Sequence, residues 1–302
     1  MPLAPGSAAR RRSLLALAFA DLLLPLGQPR AALPVDLRVV VGSTSPQHND
    51  ALASIRRRFG SVPADADPQK LLRGPRPTAY VALGAAALQA AVAVGLDAPV
   101  VSLFASRQAF ERAVEQSSSG AAATAIYAEP APDQQMKLIA SIYKRTVTVG
   151  VLLSAQSAHL EPLLRRSAAG NGLGLEPVRV DPGIGLTRSL NRLAEATVLL
   201  IFPDSTLFTP TSLRELLESS YRRRLPVIGF SAALVAAGTL ASAYTDIDDT
   251  LVQLASMVDP MAAGRLPAPR YPAFWRTAIN DSVARSLDVA IDEDTRRLGV
   301  RP

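Results

Sequence analysis

Hydroxyl, carboxylate and aromatic side chains follow the short apolar runs of this sequence, at the points where the predicted strands end. Serine and threonine hydroxyls, together with the backbone N–H groups that begin a helix, suit a carboxylate. An aspartate suits an ammonium group, and an aromatic ring can stack on an apolar part. Because open α/β sheets bind ligands at the carboxyl ends of their strands, this set predicts a site for a small, amino-acid-like ligand. Helix capping is the structural alternative for each small polar residue.

The candidate ligand-binding residues fall into two groups along the chain. They are Ser43, Thr44, Ser45, Gly84 and Phe104 in the first half, and Ser154, Asp204, Ser205, Phe230, Ser231 and Tyr244 in the second. Asp204 is the candidate partner for an ammonium group, and Phe230 is the candidate for stacking on an apolar part. Tyr244 and Asp246 lie near the point where we expect the chain to cross between two lobes, so hinge packing is the alternative to ligand contact for both.

Other site chemistries lack the residues that they require. The absence of cysteine excludes disulfides, thiolate metal sites and cysteine nucleophiles. His48 and His159 have no partner at metal-ligand spacing. The glycine-rich residues 170–174 follow a predicted helix instead of a strand, unlike a dinucleotide fingerprint. No nucleophile elbow is present. We therefore predict binding without catalysis, with no metal and no cofactor.

The strand predicted at residues 147–153 is the central element of the sequence. It is a β-branched apolar run, which is typical of a parallel strand covered on both faces. The helix predicted before it, over residues 133–144, places Met136, Ile139 and Tyr143 on one face. Ser154 follows the strand directly, at its carboxyl end.

Strand and helix patterns alternate along the chain in two consecutive series. The first has strands at 35–41, 79–83, 99–104 and 124–127, and the second has strands at 147–153, 175–180, 197–202, 226–230 and 240–244. Right-handed crossovers then predict an α/β fold of two three-layer, Rossmann-like lobes with parallel sheets, joined by crossing segments around a cleft. Residues 61–77 are proline-rich and predicted to be irregular, with at most one short helix near residues 69–72. We expect residues 35–127 and 245–270 in the first lobe, and residues 128–244 and 271–302 in the second.

The N-terminus has the features of an export signal. Residues 10–12 are arginine, residues 13–26 are largely apolar, and Ala31 and Ala32 offer small side chains near a cleavage point. A retained amphipathic anchor is the alternative to cleavage. Removing residues 1–32 lowers the formal charge from +6 to +3, because four arginines and one aspartate are lost. Such a small charge does not indicate nucleic-acid binding.

Several short motifs resemble a known family when they are taken in order. They are YAEP at 127–130 with DQQMKLI at 133–139, VGVL at 149–152, PVIGF at 226–230, GTLAS at 238–242 and TAIN at 277–280. From about Val35 onward the chain resembles the substrate-binding proteins of ABC transporters with a type I periplasmic-binding fold, in a group that includes aromatic-amino-acid binders. Residues 60–78 are too few for the second strand and helix that the resemblance implies in the first lobe.

The resemblance implies a periplasmic protein that closes two lobes on a small organic molecule by a hinge motion. It also implies a membrane permease as the partner, and we expect the protein to be a monomer. An auxiliary or sensory binding protein of the same fold, working with an outer-membrane receptor or a signalling partner, is the alternative. An enzyme is a second alternative, although two-lobed racemases need paired cysteines that this chain lacks.

Overall fold

Two β-sheets organise the residues that the computed structural model describes, which are 35–42, 45–181, 183 and 185–302. The five strands of the first sheet are β1 (Leu37–Val41), β2 (Ala64–Asp65), β3 (Ala79–Leu83), β4 (Val100–Leu103) and β5 (Ala123–Ile126). They lie in the order β2-β1-β3-β4-β5, and every neighbouring pair is parallel. We call this sheet and the helices packed on it the first lobe.

The second sheet, with its helices, is the second lobe. Its strands are β6 (Thr148–Leu153), β7 (Gly174–Arg179), β8 (Val198–Leu200), β9 (Val227–Ile228), β10 (Ala241–Tyr244) and β11 (Arg276–Ile279). They lie in the order β11-β10-β9-β8-β6-β7. The helices of the described residues are α1 (Pro46–Phe59), α2 (Gly84–Val94), α3 (Arg107–Glu115), α4 (Pro132–Tyr143), α5 (Glu161–Gly170), α6 (Leu186–Leu190), α7 (Pro210–Arg222), α8 (Ala232–Ala236), α9 (Ile247–Ala262), α10 (Asp281–Ser286) and α11 (Glu293–Arg297).

Each sheet is buried on both faces because its strands alternate between two apolar cores. In β3, Val81 packs with residues of α1 and α9, whereas the neighbouring Tyr80 packs with residues of α2 and α3. In β6, Val151 faces the core formed with α4 and α5, and Leu152 faces the core that includes α7. Burial on both faces explains why these strands have continuous apolar sequences. The predicted fold of two three-layer α/β lobes is confirmed.

The direction of the last strand corrects the expectation of wholly parallel sheets. β11 pairs antiparallel with β10, with Ala241 opposite Ile279. The chain reaches β11 from the first lobe, after α9, and not through a crossover helix of its own sheet. It therefore joins the sheet edge in the opposite direction, which the apolar pattern of a strand does not reveal.

The proline-rich segment predicted to be irregular contains short regular elements. Ala64 and Asp65 form β2 against β1, and Pro68–Leu72 form a 3₁₀ turn, where a short helix was expected. The guanidinium of Arg38 holds the segment by donating hydrogen bonds to the carbonyls of Leu71 and Pro75. The region that we expected to be too short for a second strand thus contains a strand of two residues.

Three helical regions are short or irregular. A 3₁₀ turn at Ala158–Leu160 leads into α5, which has proline in its first turn. α6 has only five residues. α11 was not predicted; its cap is Asp292, whose carboxylate accepts the N–H of Thr295. Among the helices of the described ranges, none combines the length and the apolar character that crossing a bilayer requires.

The chain passes between the lobes at three segments, which are residues 127–131, 245–246 and 263–275. The first and third run side by side. The N–H of Tyr127 donates to the carbonyl of Arg270 at 3.0 Å, and the N–H of Arg270 donates to the carbonyl of Ala125 at 2.9 Å. The division of the chain at residues 127, 245 and 270 stays a prediction, as does the export signal at residues 1–32, which lies outside the described residues.

Candidate ligand-binding cleft

A cleft of about 700 Å³ lies between the carboxyl ends of the strands of the two lobes. Its volume falls within the range of roughly 300–1,000 Å³ that is usual for small-molecule sites. Residues of both lobes and of two crossing segments line it. They are Gln47, His48, Ser54, Phe104, Ser106, Tyr127, Ala128, Glu129, Pro203, Phe230, Ser231, Ala232, Ala233, Tyr244, Thr245, Asp246, Ile247, Asp248 and Thr250.

The first-lobe wall is built around the first turn of α1. Ser45 caps this helix by accepting the N–H of His48 at 3.3 Å, and the His48 side chain lines the cleft. Gly84 has a φ of +84°, and a Cβ at this position would lie 2.9 Å from the His48 ring. Because glycine has no Cβ, the imidazole of His48 can lie close to the start of α2. Phe104, in a left-handed conformation with a φ of 60°, completes the wall after β4.

The second-lobe wall follows β8 and β9. Phe230 and Pro203 stand directly after these strands and line the cleft. Ser231 caps α8 by accepting the N–H of Leu234 at 3.3 Å. Its capping role uses the hydroxyl as an acceptor, so the hydroxyl hydrogen remains available as a donor to a ligand.

Glu129, on the first crossing segment, is a buried acid at the base of the cleft. Only 7% of the residue is exposed. Its Oε1 accepts the N–H of Arg107 at 2.9 Å, whereas no group of the described residues hydrogen-bonds to Oε2. Burial raises the pKa of Glu129 to about 7, although the N–H of Arg107 opposes the shift. A buried carboxylate oxygen without a partner is costly, and a ligand donor would relieve that cost.

The second crossing segment contributes Thr245 and Asp246, directly after Tyr244 at the end of β10. The hydroxyl of Thr245 is buried and, among the described residues, it has no hydrogen-bond partner. Asp246 is satisfied on both sides, because its Oδ1 accepts the N–H of Asp249 at 2.8 Å and its Oδ2 pairs with Arg276 at 2.9 Å. The base of the cleft thus contains two polar atoms without a hydrogen-bond partner among the described residues. They are Oε2 of Glu129 on the first crossing segment and the hydroxyl oxygen of Thr245 on the second.

Asp204 and Ser154 lie together, but they are not among the described residues that line the cleft. Asp204 is 2% exposed. Its Oδ2 accepts the hydroxyl of Ser154 at 2.7 Å, and its Oδ1 accepts the N–H groups of Thr206 and Leu207 at 2.9 and 3.3 Å. Burial alone would raise the pKa of Asp204, but hydrogen bonds from Ser157, Ser154 and these N–H groups outweigh it and lower the pKa. The carboxylate therefore orders the turn after β8.

Ser205 takes part in a contact between the lobes that we call the interlobe latch, formed by Gln108, Arg112, Gln156 and Ser205. The amide oxygen of Gln108 accepts the N–H of Ser205 at 3.1 Å. Arg112 Nη2 donates to Gln156 Oε1 at 2.7 Å. These side chains join α3 of the first lobe to loops of the second.

A second, much smaller cavity of about 40 Å³ lies beside the cleft. It shares Glu129, Pro203 and Phe230 with the cleft. Its other lining residues come from α3, α4, the loop between β6 and α5, α5 itself, the end of β8, and the first and third crossing segments. The three shared residues therefore separate the cleft from the small cavity. A space of this size accommodates water but no organic ligand.

The structure brings some of the sequence-predicted residues together at the cleft and places others elsewhere. Phe104, Phe230, Ser231 and Tyr244 line it, with Ser45 and Gly84 supporting the first-lobe wall. Ser154, Asp204 and Ser205 lie in the turn network and the latch, and Ser43 and Thr44 lie outside the described residues. Ligand contact at each of these positions stays a prediction. Sequence analysis missed His48, Tyr127, Glu129 and Thr245, whereas Asp246 was a candidate beside Tyr244. Of these, Glu129 belongs to the YAEP motif, which was a usable signal.

The arrangement suits reversible binding of a small molecule. It offers aromatic surfaces, hydroxyl groups and an unpartnered carboxylate oxygen in a partly enclosed space. Within the described part of the chain, histidine and acidic residues nowhere gather in a group of three that could hold a metal ion.

Solved structures share this fold. The ABC domain from Streptococcus pneumonia in complex with L-Trp is 17% identical, with a TM-score of 0.56 over 86% of this chain and 97% of its own. A conserved domain protein from Vibrio cholerae is 19% identical, with a TM-score of 0.57 over 88% of this chain and 99% of its own. A ligand-free, open substrate binding protein with adhesive properties from Clostridium difficile is 12% identical, with a TM-score of 0.59 over 87% of this chain and 98% of its own.

The family comparison is independent of these structures. No curated protein matches the sequence. The model of the family described as ABC transporter substrate binding protein matches residues 65–298, which include most of both lobes and both crossing segments that line the cleft. The chain therefore belongs to the family of ABC transporter substrate binding proteins.

Proposed function

We propose that the protein is the solute-binding component of an ABC-type uptake system. It binds a small organic ligand in the interlobe cleft without changing it chemically, and it presents the ligand to a membrane permease. The observation that carries this proposal is the cleft of about 700 Å³ at the strand ends of two lobes, within a chain of the substrate-binding family.

The expected site of action is the periplasm, and the expected form is a monomer. The arginines at residues 10–12 and the apolar residues 13–26 support export. Fusion of residues 1–40 to a reporter that is active only outside the cytoplasm tests this part of the proposal. An inactive fusion would contradict export by this signal.

A thermal-shift screen of the purified protein tests ligand binding. Amino acids, amines, nucleosides, sugars and small acids are the compounds, because binding to the folded state raises the melting temperature by mass action. At a ligand concentration of 100 times Kd, the gain is about 2.7 kcal/mol. We expect at least one compound class to produce a saturable shift, and a screen without any shift would contradict the proposal.

A matched pair of variants links the shift to the cleft. Ala233 lines the cleft and is exposed, so Ala233→Trp fills the space without disturbing a core. Ala263 is also exposed but follows α9, away from the cleft, so Ala263→Trp is the control. The shift should disappear in Ala233→Trp and persist in the control. A shift that survives in both variants would place the ligand elsewhere.

A further inference from the structure

The two unpartnered polar atoms at the base of the cleft can both accept a hydrogen bond from a ligand. Oε2 of Glu129 accepts hydrogen bonds, and the hydroxyl of Thr245 both accepts and donates. Each is buried, and each residue lines the cleft. A group with several N–H donors and a positive charge suits both kinds of acceptor, and a protonated amine is such a group.

The charges around the cleft favour the same ligand group. Its ionisable lining residues, within the described part of the chain, are His48, Glu129, Asp246 and Asp248, with no lysine or arginine. Guanidinium groups beside the lining are already engaged. Arg57 donates to the hydroxyl of Ser54 at 2.7 Å. Arg107 donates to Glu111 at 2.7 Å and to the hydroxyl of Tyr271 at 3.4 Å, and Arg276 is held by Asp246 and Asp249. A ligand bearing only a carboxylate would therefore find no free guanidinium in this lining.

The rest of the lining suits an apolar ligand body. Phe104 and Phe230 stand on opposite walls, Tyr127 stands on the first crossing segment, and Tyr244 stands at the end of β10. Aromatic rings bury large areas and stack on flat apolar groups. An aromatic or bulky aliphatic amine would place its charge at the base and its body between the rings.

We propose that this cleft selects its ligand by a protonated amine, which binds the free carboxylate oxygen of Glu129 and the hydroxyl of Thr245. This inference rests on the proposed function, because it names the ligand class of the same site. Glu129 selects the ligand by its positive charge, and Thr245 adds a hydrogen bond from an uncharged group.

A buried water is the competing explanation for Glu129. The small cavity also touches this residue, and its volume of about 40 Å³ has room for water. In that case Oε2 would bond to water on the far side of the separating wall, and the ligand would not sense the carboxylate. The experiment below separates the two cases.

Matched amine and acid pairs are the probes. They are tryptamine with indole-3-propionate, phenethylamine with 3-phenylpropionate, and hexylamine with hexanoate. Each pair keeps the apolar body and exchanges the charged group. Isothermal titration at pH 8 should give at least tenfold tighter binding for the amine in every pair that binds. Tighter binding of the acids would overturn the inference.

Two variants and one control assign the preference for amines to particular residues. Glu129→Gln keeps the shape but removes the charge, and it should weaken amine binding by about tenfold to a hundredfold. Glu111 is a neighbouring acid that lines only the small cavity, so Glu111→Gln is the matched control and should leave amine affinity within about twofold. Thr245→Val should weaken the same amines by about threefold to tenfold. Unchanged amine affinity in Glu129→Gln would favour the buried water and overturn the inference.

The screen described above separates this inference from the proposed function. A ligand without a protonated nitrogen that shifts the melting temperature through the cleft would leave the function standing and overturn the amine proposal. A screen without any shift, with no titration signal from the three pairs, would contradict both.

Discussion

Arg112 of α3 donates a hydrogen bond from Nη2 to Oε1 of Gln156 in the second lobe, over 2.7 Å. Gln108 donates to the same oxygen at 3.2 Å and accepts the N–H of Ser205 at 3.1 Å. Glu129, Pro203 and Phe230 separate the cleft from the small cavity, and the latch contacts lie on the small-cavity side. The interlobe latch therefore stabilises one arrangement of the lobes, independently of the residues that line the cleft.

Removal of the latch should change ligand affinity without touching the cleft. Arg112→Ala removes exposed polar contacts that contribute about 0.5–1 kcal/mol in total to this arrangement. If ligand binding requires the lobes to rotate out of the arrangement that the latch stabilises, loss of the latch makes this rotation less costly. The variant should then bind the ligand about twofold to fivefold more tightly. Isothermal titration with a ligand from the screen measures the change. Arg166→Ala, at an exposed position on α5, is the control, and weaker binding in Arg112→Ala would contradict the latch.

The buried Glu129 predicts a decrease in stability as the pH rises. Its pKa is raised to about 7 in the folded protein, from an ordinary value of 4.5. Between these two values the folded state binds more protons than the unfolded state, so the free energy of unfolding falls as the pH increases. The loss is about 3 kcal/mol at most, and it is complete above pH 7.

Urea denaturation of the wild type and of Glu129→Gln, from pH 4.5 to pH 8, measures this loss. The variant should lack the decrease, so its stability relative to the wild type should grow with pH and level off above pH 7. Parallel stability curves for the two proteins would mean that the carboxyl of Glu129 titrates normally. Glu115→Gln, at an exposed position on α3, should follow the wild type over the same range.

Much of the architecture could be predicted because parallel strands buried on both faces leave a strong signature. The apolar runs of β3 and β6 each serve two cores, so they stand out from the helices that surround them. The antiparallel direction of β11 could not be predicted, because strand direction depends on where the chain returns from. β2 was missed because its two residues lie in a proline-rich segment held by the distant Arg38.

The site was harder to predict than the fold. Small polar residues after strands are chemically alike in sequence, whether they cap a helix, as Ser231 does, or order a turn, as Ser154 does. The difference depends on which side chains meet them in space. Glu129 was missed because a glutamate in a proline-rich crossing segment resembles a solvated charge. Its burial arises only when Tyr127, Tyr271 and α3 pack around the crossing.

Asp204 should be important for stability. Asp204→Ala leaves the hydroxyl of Ser154 and the N–H groups of Thr206 and Leu207 without their acceptor in a buried turn. We expect a loss of about 2–3 kcal/mol in the free energy of unfolding, which corresponds to a decrease of about 5–10 °C in melting temperature. Because the pKa of Asp204 is lowered in the folded state, its contribution is present at neutral pH and is lost as the pH falls below about 4.

Thermal denaturation of Asp204→Ala at pH 7 and at pH 3 measures both effects, and the difference from the wild type should shrink at the lower pH. The exposed Asp181 provides a control, since Asp181→Ala should leave the melting temperature nearly unchanged. An Asp204→Ala protein that melts like the wild type but no longer binds amines would instead support the sequence-based role of Asp204 as the ammonium partner.

The ion pair of Arg276 and Asp249 should couple the two lobes. Arg276, on β11 of the second lobe, donates from Nε and Nη2 to the two carboxylate oxygens of Asp249 on α9 of the first lobe, at 2.9 and 3.0 Å. Asp249 is 2% exposed, so Arg276→Ala leaves a buried charge without its partner. We expect a loss of about 2–3 kcal/mol, which is below the value for a fully buried pair because the arginine is partly exposed.

A double-mutant cycle with Asp249→Ala separates the pair from other effects of each substitution. Once the carboxylate is removed, the loss of Arg276 should cost much less, and the coupling energy should be about 1–2 kcal/mol. Some cost remains, because Arg276 also pairs with Asp246 at 2.9 Å. Chemical denaturation of the four proteins gives the coupling directly. Losses that add to within about 0.5 kcal/mol would mean that the two residues act independently and that β11 is held to α9 by packing alone.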